Sequence, residues 1–314
     1  MQLVIGATGR AGGETARALI RSGACVRVFL RRQEQAAEWE KLGAEAAFGR
    51  IEDVPSLVAA MQGASGAFVL APPPVSGDPY ERADEIGKAL AAAVRQARLP
   101  SVVALSSIGA QHEDGTGVIA MLHRLERHLD GAAPSITFLR PGYFVETWGE
   151  VAPVVVAEGV LPSFLEPARK IPMVSTVDVG RCAAGLLLEN HAGRRIVELG
   201  GPADWSAEDV AATFAAVLGL AVVPAFVPPD ARPGILARDG VPPEVAAALL
   251  GMYEGLANGR VSCEDPRRIR RGTVSLAEAV GRIVSDLALE AEGEAATALH
   301  TTSHSSRNAE THLP

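Results

Sequence analysis

Short apolar runs alternate with amphipathic stretches along the first 140 residues of the chain. The runs have the length of buried strands, and they occur at residues 2–5, 25–30, 66–70, 101–105 and 135–140, with a weaker run at 44–48. Between them, apolar residues at helical spacing predict helices at residues 14–22, 33–42, 54–61, 80–96 and 119–129. Strands and helices in this alternation build parallel sheets. The pattern therefore predicts an α/β fold with a doubly wound parallel sheet.

After Tyr143 the alternation loosens and helical patterns dominate. They predict helices at residues 146–159, within 173–188, and at 207–218, 243–257 and 275–289, with one late strand at 195–199. We expect residues 1–150 to form the main domain, with residues 171–200 returning to its sheet. Residues 151–170 and 201–290 are expected to form a smaller, mainly helical lobe. Residues 291–314 lack periodicity, which predicts a disordered tail.

The first predicted strand runs directly into three glycines at a spacing of three, Gly6, Gly9 and Gly12. The first permits a tight turn out of the strand, the second lets a phosphate approach the backbone, and the third lets the next helix pack close to the strand. Free amides at a helix N-terminus, with the positive end of the helix dipole, bind anions. A strand, a glycine turn and a helix in this order predict a pyrophosphate site.

Composition argues against several other classes of protein. The 314 residues carry a formal net charge of -8 without a long block of Lys or Arg, which disfavours direct nucleic-acid binding. No segment approaches the roughly 20 apolar residues of a membrane span, and no basic leader precedes the first strand, so we expect a cytoplasmic protein. The cysteines, Cys25, Cys182 and Cys263, do not have metal-ligand spacing, and we expect no metal site.

The second predicted strand ends in Arg31-Arg32. An NAD site usually has Asp or Glu at this position for the ribose 2′-hydroxyl, whereas an NADP site needs positive charge for the 2′-phosphate. A planar guanidinium suits a phosphate, and no carboxylate precedes Glu34 in this segment. The alternative is that both arginines are simply solvated on an exposed turn. We expect NADP(H) to be preferred over NAD(H).

Several motifs together resemble those of one known family. They are GATGRAGG at the start, RR after the second strand, SSIGA after the fifth, the helical HRLERHL, and TFLRPGYF around the end of the sixth strand. On these motifs the chain resembles the NmrA-like proteins, which are atypical short-chain dehydrogenase/reductases, from Met1 to about Leu289. The resemblance implies a Rossmann-type NAD(P)-binding domain with a small C-terminal lobe, of a quinone-reductase-like branch.

The resemblance also implies which residues meet the cofactor. The dinucleotide would contact Gly6, Thr8, Gly9, Arg10, Ala11, Gly12, Arg31 and Arg32. Pro72 and either Ser106 or Ser107 would border the nicotinamide. One departure lies after the third strand, where relatives often have Gly-Asp with the Asp near the adenine, and this chain has Gly49-Arg50.

A second departure concerns the catalytic acid. Catalytic members of the wider superfamily reduce carbonyls with a Tyr and a Lys four residues later, held near a Ser. Counted from Ser106, the usual Tyr position is Ile119 and the usual Lys position is His123. The usual ketone-reductase mechanism is therefore absent. His123 and Ser106 remain the candidate catalytic residues, and the alternative for His123 is a local hydrogen bond on an amphipathic helix.

Without the acid pair, direct hydride transfer still suits an acceptor that stabilises its own negative charge, such as a quinone or a conjugated carbonyl. Tyr143, Phe144 and Trp148 follow the LRPG turn and would form an aromatic wall for that acceptor, or would pack between the two lobes. We therefore predict an NADPH-dependent oxidoreductase acting on a small molecule, as a monomer or homodimer. The alternative is a catalytically silent sensor that binds the dinucleotide and a protein partner, as NmrA does.

Overall fold

The computed structural model describes residues 1–289 of the chain. Its strands are Gln2–Ile5 (β1), Val26–Leu30 (β2), Glu45–Phe48 (β3), Gly66–Val69 (β4), Ser101–Leu105 (β5), Ser135–Pro141 (β6), Tyr143–Phe144 (β7), Val160–Ser163 (β8), Ile171–Val174 (β9), Gly193–Gly200 (β10), Asp204–Trp205 (β11), Val223–Phe226 (β12) and Arg270–Arg271 (β13). The tail predicted for residues 291–314 lies outside the described residues.

The helices follow the strands in the expected alternation. They are Arg10–Arg21 (α1), Ala36–Lys41 (α2), Val54–Met61 (α3), Pro79–Ala97 (α4), Ala120–Leu129 (α5), Ala152–Glu158 (α6), Thr176–Leu188 (α7), Ala207–Leu218 (α8), Arg232–Arg238 (α9), Pro243–Asn258 (α10) and residues 276–289 (α11). Short 3-10 segments cover Gln33–Gln35, Gly117–Ile119 and Val145–Glu150. No helix within residues 1–289 is long and apolar enough to cross a membrane.

The main sheet has eight strands in the order β13-β10-β6-β5-β4-β1-β2-β3, and every neighbouring pair is parallel. The chain winds outward from β1 to β3 and then returns to the other side of β1 through β4. A crevice therefore opens at the carboxyl ends of β1 and β4, which is where ligands of open α/β sheets bind. This arrangement confirms the predicted Rossmann-type α/β fold.

Helices cover both faces of the sheet, which explains why its central strands are apolar throughout. On one face, α3, α4 and α5 pack with buried side chains such as Leu57, Ile86, Leu90 and Leu125. On the other face, α1 and α7 contribute Leu19 and Leu186, among others. Burial on both sides of β1, β4 and β5 fixes the positions of the loops that leave their carboxyl ends.

A separate apolar core holds the C-terminal lobe together. It includes Trp148, Val155, Leu161, Phe214 and Val280, which come from five different segments. Two small sheets accompany this core, one with the order β11-β9-β7 and one pairing β12 with β8. Because β7 directly follows β6, this lobe begins at the carboxyl edge of the main sheet and forms one wall of the crevice.

Two local predictions were wrong. Helix α1 starts at Arg10 and not at Glu14, because Gly12 and Gly13 are helical despite their low propensity. Strands β8 and β9 also form, although the sequence predicted only one late strand, at 195–199. Pro162 is tolerated because β8 pairs on one side only. Pro172 is tolerated because the pairing of β9 with β7 begins after it, at Met173.

Candidate functional site

The turn between β1 and α1 has the geometry that its glycines predict. Gly6 has a φ of +80°, which L side chains rarely adopt, and the amide of Gly9 donates to the Gly6 carbonyl oxygen at 2.9 Å. A Cβ on Gly12 would overlap that same carbonyl oxygen. Helix α1 therefore packs against the turn at a distance that only glycine permits, and its N-terminus is fixed beside the crevice.

The first amides of α1 have no hydrogen-bond acceptor among the described residues. Gly9 is the N-cap of the helix and has no side chain to accept a hydrogen bond. Within residues 1–289, the amides of Arg10, Ala11 and Gly12 have no acceptor, and the first intrahelical bond runs from Gly13 to Gly9. Three free donors at the positive end of a helix dipole fit one anionic group. A dinucleotide pyrophosphate has that chemistry, so these residues fit the cofactor that the sequence predicts.

A cleft of about 430 Å³ continues from this turn towards the end of β2. Thr8, Gly9 and Arg10 form one side of it, and Glu34, Gln35, Glu38 and Trp39 form the other. The Arg17 guanidinium lies 5.2 Å from the Trp39 ring and 3.2 Å from a Glu38 carboxylate oxygen, so the charge of Glu38 is balanced. The cleft has the position expected for the adenosine half of a dinucleotide.

Arg31 and Arg32 follow the last residue of β2 and are both exposed. Within the described part of the chain, neither guanidinium has a carboxylate within 4.0 Å or a hydrogen-bond partner. Their donors are therefore available to a ligand. Glu34, which is also exposed, is the carboxylate of the cleft that no arginine neutralises in the same part of the structure.

The loop after β3 does not replace the missing adenine contact. Asp53 caps α3 by accepting from the Ser56 amide at 3.2 Å, and Glu52 forms an ion pair with Arg82. Arg50 is exposed and lies 3.4 Å from Glu52. Both carboxylates are thus engaged in local structure, and the contacts at this edge of the cleft differ from the Gly-Asp pattern.

The two serines after β5 have different surroundings. Ser106 is only 3% exposed, and its hydroxyl donates to Glu126 at 2.5 Å. Ser107 is partly exposed, and its hydroxyl donates to the Ile108 carbonyl at 3.0 Å. Pro72, after β4, is exposed. The hydroxyl of Ser106 is therefore committed to a buried network, and Ser107 is the serine whose oxygen can accept a hydrogen bond from a ligand.

His123 contacts the same exit loop from helix α5. Its Nδ1 lies 2.9 Å from the Ala110 carbonyl oxygen, and a carbonyl only accepts, so Nδ1 carries the proton. In the neutral imidazole, Nε2 then has the free lone pair. The position that would hold the usual tyrosine, Ile119, is buried and apolar. The local hydrogen bond considered from the sequence is present, and it orients the ring, while Nε2 has no hydrogen-bond partner within residues 1–289.

The three aromatic residues after β6 separate into two groups. Phe144 packs against the core under the main sheet, whereas Tyr143 and Trp148 pack with the core of the C-terminal lobe. The rings of Tyr143 and Trp148 are 6.0 Å apart and tilted by 51°. The indole Nε1 of Trp148 is buried without an acceptor within residues 1–289. Tyr143 and Trp148 therefore belong to the C-terminal lobe, which forms one wall of the crevice. Phe144 instead packs against the main sheet.

Tyr143 also has a long-range partner. Its hydroxyl lies 3.3 Å from the hydroxyl of Tyr253 on α10. Burial, followed by the contact with Tyr253, raises the pKa of Tyr143 well above its ordinary value, so the phenol stays protonated at neutral pH. Arg10 lies 3.7 Å from Glu150, which ties the start of α1 to the segment that follows β7. The Arg10–Glu150 contact therefore links the main domain to the C-terminal lobe beside the crevice.

Comparison with known proteins gives the chain its family. The model of the NmrA-like family matches residues 2–268. The chain belongs to the NmrA-like family. This confirms the assignment predicted from the sequence motifs.

The individual proteins that resemble this NmrA-like chain share only 20–24% of its residues. It is 24% identical over 255 residues to the NAD(P)H azoreductase of Xenophilus azovorans, which covers 81% of this chain and 86% of that protein. The NADPH complex of an NADPH-dependent quinone oxidoreductase from Escherichia coli has a TM-score of 0.77 at 22% identity, covering 90% of this chain and 100% of that one. Citrobacter sp. triphenylmethane reductase complexed with NADP(H) has a TM-score of 0.76 at 20% identity, with the same coverage. These structural likenesses support the fold.

Several residues of the NmrA-like crevice had no signal in the sequence. Tyr253 lies 110 residues from Tyr143, and nothing local indicates that their hydroxyls meet. Glu38 and Trp39 look like ordinary positions of a short helix, although both line the cleft.

Proposed function

We propose that this protein is an NADPH-dependent oxidoreductase that transfers hydride to a quinone-like or conjugated carbonyl acceptor without a Tyr/Lys acid pair. The observation that carries the proposal is the open N-terminus of α1, where three amides have no acceptor in the described chain, beside the cleft that continues towards the end of β2. The proposal is supported by the family and by relatives named as an NAD(P)H azoreductase, a quinone oxidoreductase and a triphenylmethane reductase.

The residues proposed to hold the cofactor divide by the part that they bind. The turn and the helix start take the pyrophosphate through Gly6, Thr8, Gly9, Arg10, Ala11 and Gly12. Arg31 and Arg32 take the 2′-phosphate, because their exposed guanidinium groups match phosphate oxygens. Pro72 and Ser107 border the nicotinamide, since both follow strands that flank the crevice.

When bound, the reduced nicotinamide supplies a hydride to the acceptor, and water supplies the proton that completes a hydroquinone. The chain orients the partners and keeps the crevice dry. The Tyr143 hydroxyl stays protonated and donates a hydrogen bond to a carbonyl oxygen of the acceptor. His123 can accept a hydrogen bond at Nε2, because its Nδ1–H donates to the Ala110 carbonyl oxygen.

The absence of the Tyr/Lys pair restricts the acceptor. An isolated ketone needs a proton as its oxygen becomes an alkoxide, and Ile119 supplies none. A conjugated acceptor spreads that charge over its own π-system, so proximity and alignment contribute most of the rate. Tyr143, which is partly exposed and packs against the buried Trp148, offers an aromatic side chain to such a system.

Arg31→Glu tests the 2′-phosphate assignment. We expect the dissociation constant of NADPH to rise on the order of 30-fold, because the replacement removes a charge-assisted contact and adds a repulsive charge. The constant for NADH should change by less than about threefold. Fluorescence titration of both cofactors measures the effect.

Arg95→Glu is the matched control for this charge reversal. Arg95 is exposed in the last turn of α4, at the opposite end of the sheet, and the change in net charge is the same. It should leave both titrations unchanged. Equal losses of NADPH and NADH affinity in the Arg31 variant would refute the assignment.

A steady-state assay with NADPH tests the reaction itself. The panel contains simple quinones, conjugated enones, azo compounds and, as the negative group, unconjugated ketones. We expect oxidation of NADPH with the conjugated acceptors and none with the ketones. Silence across the panel with NADPH still bound would refute the enzyme and favour the sensor, a dinucleotide-binding protein that regulates a protein partner.

A further inference from the structure

The guanidinium of Arg232 lies buried between aromatic rings in the C-terminal lobe. Arg232 is the first residue of α9, and the residue is only 5% exposed. Its ζ carbon lies 5.2 Å from the centroid of the Phe164 ring and 5.4 Å from that of Phe226. Ring faces attract a cation, and this attraction grows where water is excluded. The two rings therefore hold the guanidinium in one orientation.

Most of the hydrogen-bond donors of Arg232 remain unused. A guanidinium has five N–H donors, and here Nε donates to the Val227 carbonyl at 3.0 Å. Within residues 1–289, its two terminal nitrogens have no hydrogen-bond partner and no carboxylate within 4.0 Å. Buried charges in proteins are normally paired. The Arg232 guanidinium is therefore a cation that has no anionic partner among the described residues.

The charged groups around Arg232 do not compensate for this. Tyr253 and Glu254 are the groups near enough to influence it, and neither forms an ion pair or hydrogen bond with it. Burial lowers the pKa of Arg232 from its ordinary value, and Tyr253, followed by the carboxylate of Glu254, opposes that effect only in part. An arginine keeps its proton at neutral pH under such a shift. The group is therefore a desolvated, permanent cation.

The terminal nitrogens of Arg232 retain contact with open space. Fully buried side-chain nitrogens without a partner occur at Trp148, His191 and Arg195 in the described chain, and those of Arg232 are not among them. The terminal nitrogens of Arg232 are therefore not completely covered, although the residue as a whole is only 5% exposed. The planar fork is suited to bidentate contact with a carboxylate or a sulfonate.

Aromatic contacts connect Arg232 to the crevice. The Phe164 ring that flanks the guanidinium also packs edge-on against Tyr253, with centroids 5.1 Å apart. The Tyr253 hydroxyl in turn meets that of Tyr143, which faces the proposed acceptor. The Phe164 and Tyr253 rings therefore link the cation to Tyr143.

We propose that Arg232 binds an anionic substituent, a carboxylate or a sulfonate, on an aromatic acceptor whose rings lie along Tyr253 and Phe164. This inference rests on the proposed function, because it defines the substrate class of the same crevice. It adds the requirement that the acceptor carries a negative charge, which an unsubstituted quinone lacks. The electrostatic contact is strong at this position because the guanidinium is already desolvated and oriented before the ligand arrives.

The first test is direct binding, which does not depend on turnover. Naphthalene-2-sulfonate and the neutral naphthalene-2-sulfonamide have the same rings and differ in charge. Calorimetry should show that the wild-type protein binds the sulfonate more tightly. Arg232→Met should weaken the sulfonate by about 10- to 100-fold, the usual range for a hydrogen-bonded charge, and leave the sulfonamide within twofold.

Two further variants serve as controls for this test. Arg238→Met removes an exposed arginine from the last turn of the same helix and should change neither ligand. Arg232→Lys keeps the charge and the apolar stem but loses the fork, so it should weaken the sulfonate alone even if the methionine variant folds poorly. Equal weakening of both ligands in these Arg232 variants, or no preference for the sulfonate in the wild type, would overturn the proposal.

Kinetics then separates this proposal from the proposed function. With 1,4-naphthoquinone and its 2-sulfonate as acceptors, Arg232→Met should raise KM for the sulfonate by about 10-fold or more and leave the parent quinone within twofold. Taking the ratio of variant to wild type removes the intrinsic difference in reactivity between the two quinones. If neither quinone oxidises NADPH, the proposed function fails, and the calorimetric preference for the sulfonate still decides the role of Arg232.

Discussion

Replacing Gly9 with leucine should abolish dinucleotide binding and leave the fold intact. Gly9 has φ -96° and ψ 170°, which any residue adopts, and the nearest atom to an added Cβ is the Gly6 carbonyl oxygen at an ordinary 3.4 Å. The leucine side chain would therefore fit the protein but occupy the space in front of the α1 amides. Each hydrogen bond between an amide and a charged phosphate contributes about 1.5–3 kcal/mol. Losing two or more should weaken NADPH on the order of 100-fold or beyond.

Two other glycines give the comparison for this variant. Gly12→Ala should lose both cofactor binding and stability, because its methyl group would overlap the Gly6 carbonyl oxygen. Gly185→Ala, in an open position inside α7, should leave cofactor binding unchanged and raise stability by about 0.5–1 kcal/mol, because alanine favours a helix over glycine. NADPH titration and thermal unfolding are measured on all three proteins. A Gly9→Leu protein that binds NADPH like the wild type would show that the pyrophosphate lies elsewhere.

The sequence predicted the nucleotide-binding half of the molecule because its signals are local. The apolar run at residues 2–5 and the glycines at 6, 9 and 12 describe a strand, a turn and a helix within one short segment. Right-handed crossovers leave few arrangements for six alternating units, which is why the doubly wound class could be predicted, although the sequence did not select the strand order. The start of α1 was placed late because helix propensity argues against glycine, whereas close packing at Gly12 requires it.

The acceptor side of the crevice was only partly predictable because its contacts are long-range. Tyr143 could be selected from its place after the LRPG turn, but its partner Tyr253 lies on a helix whose sequence is an ordinary amphipathic pattern. Arg232 has no local pattern either, since Phe164 and Phe226 approach it from separate strands or loops. The pairing of Ser106 with Glu126 likewise depends on how α5 packs on the sheet. Such contacts follow from the fold and not from spacing.

The second large expected effect is a loss of stability when the buried ion pair between Arg140 and Glu126, near the carboxyl end of β6, is broken. The Arg140 side chain is 3% exposed and donates to both oxygens of Glu126, at 2.8 and 2.7 Å, and to Glu264 at 2.5 Å. Burial alone would lower the pKa of Arg140, but the hydrogen bonds and charge of Glu126, and then of Glu264, raise it above its ordinary value. Glu126 also accepts from Ser106, so this ion pair fixes the loop after β5.

Arg140→Met should lower the free energy of unfolding by about 3–5 kcal/mol, because it leaves the Glu126 carboxylate buried without a cation. Glu264→Ala removes the second carboxylate that contacts the same guanidinium. Because the Glu264 side chain is 45% exposed, its loss should lower the free energy of unfolding by no more than about 1 kcal/mol. Arg140→Met with Glu126→Leu should recover most of the stability, since an apolar pair needs no compensating charge. Urea unfolding at neutral pH measures all three. A single Arg140→Met variant that loses less than about 1 kcal/mol would mean that water reaches Glu126, and the loop after β5 would then need another anchor.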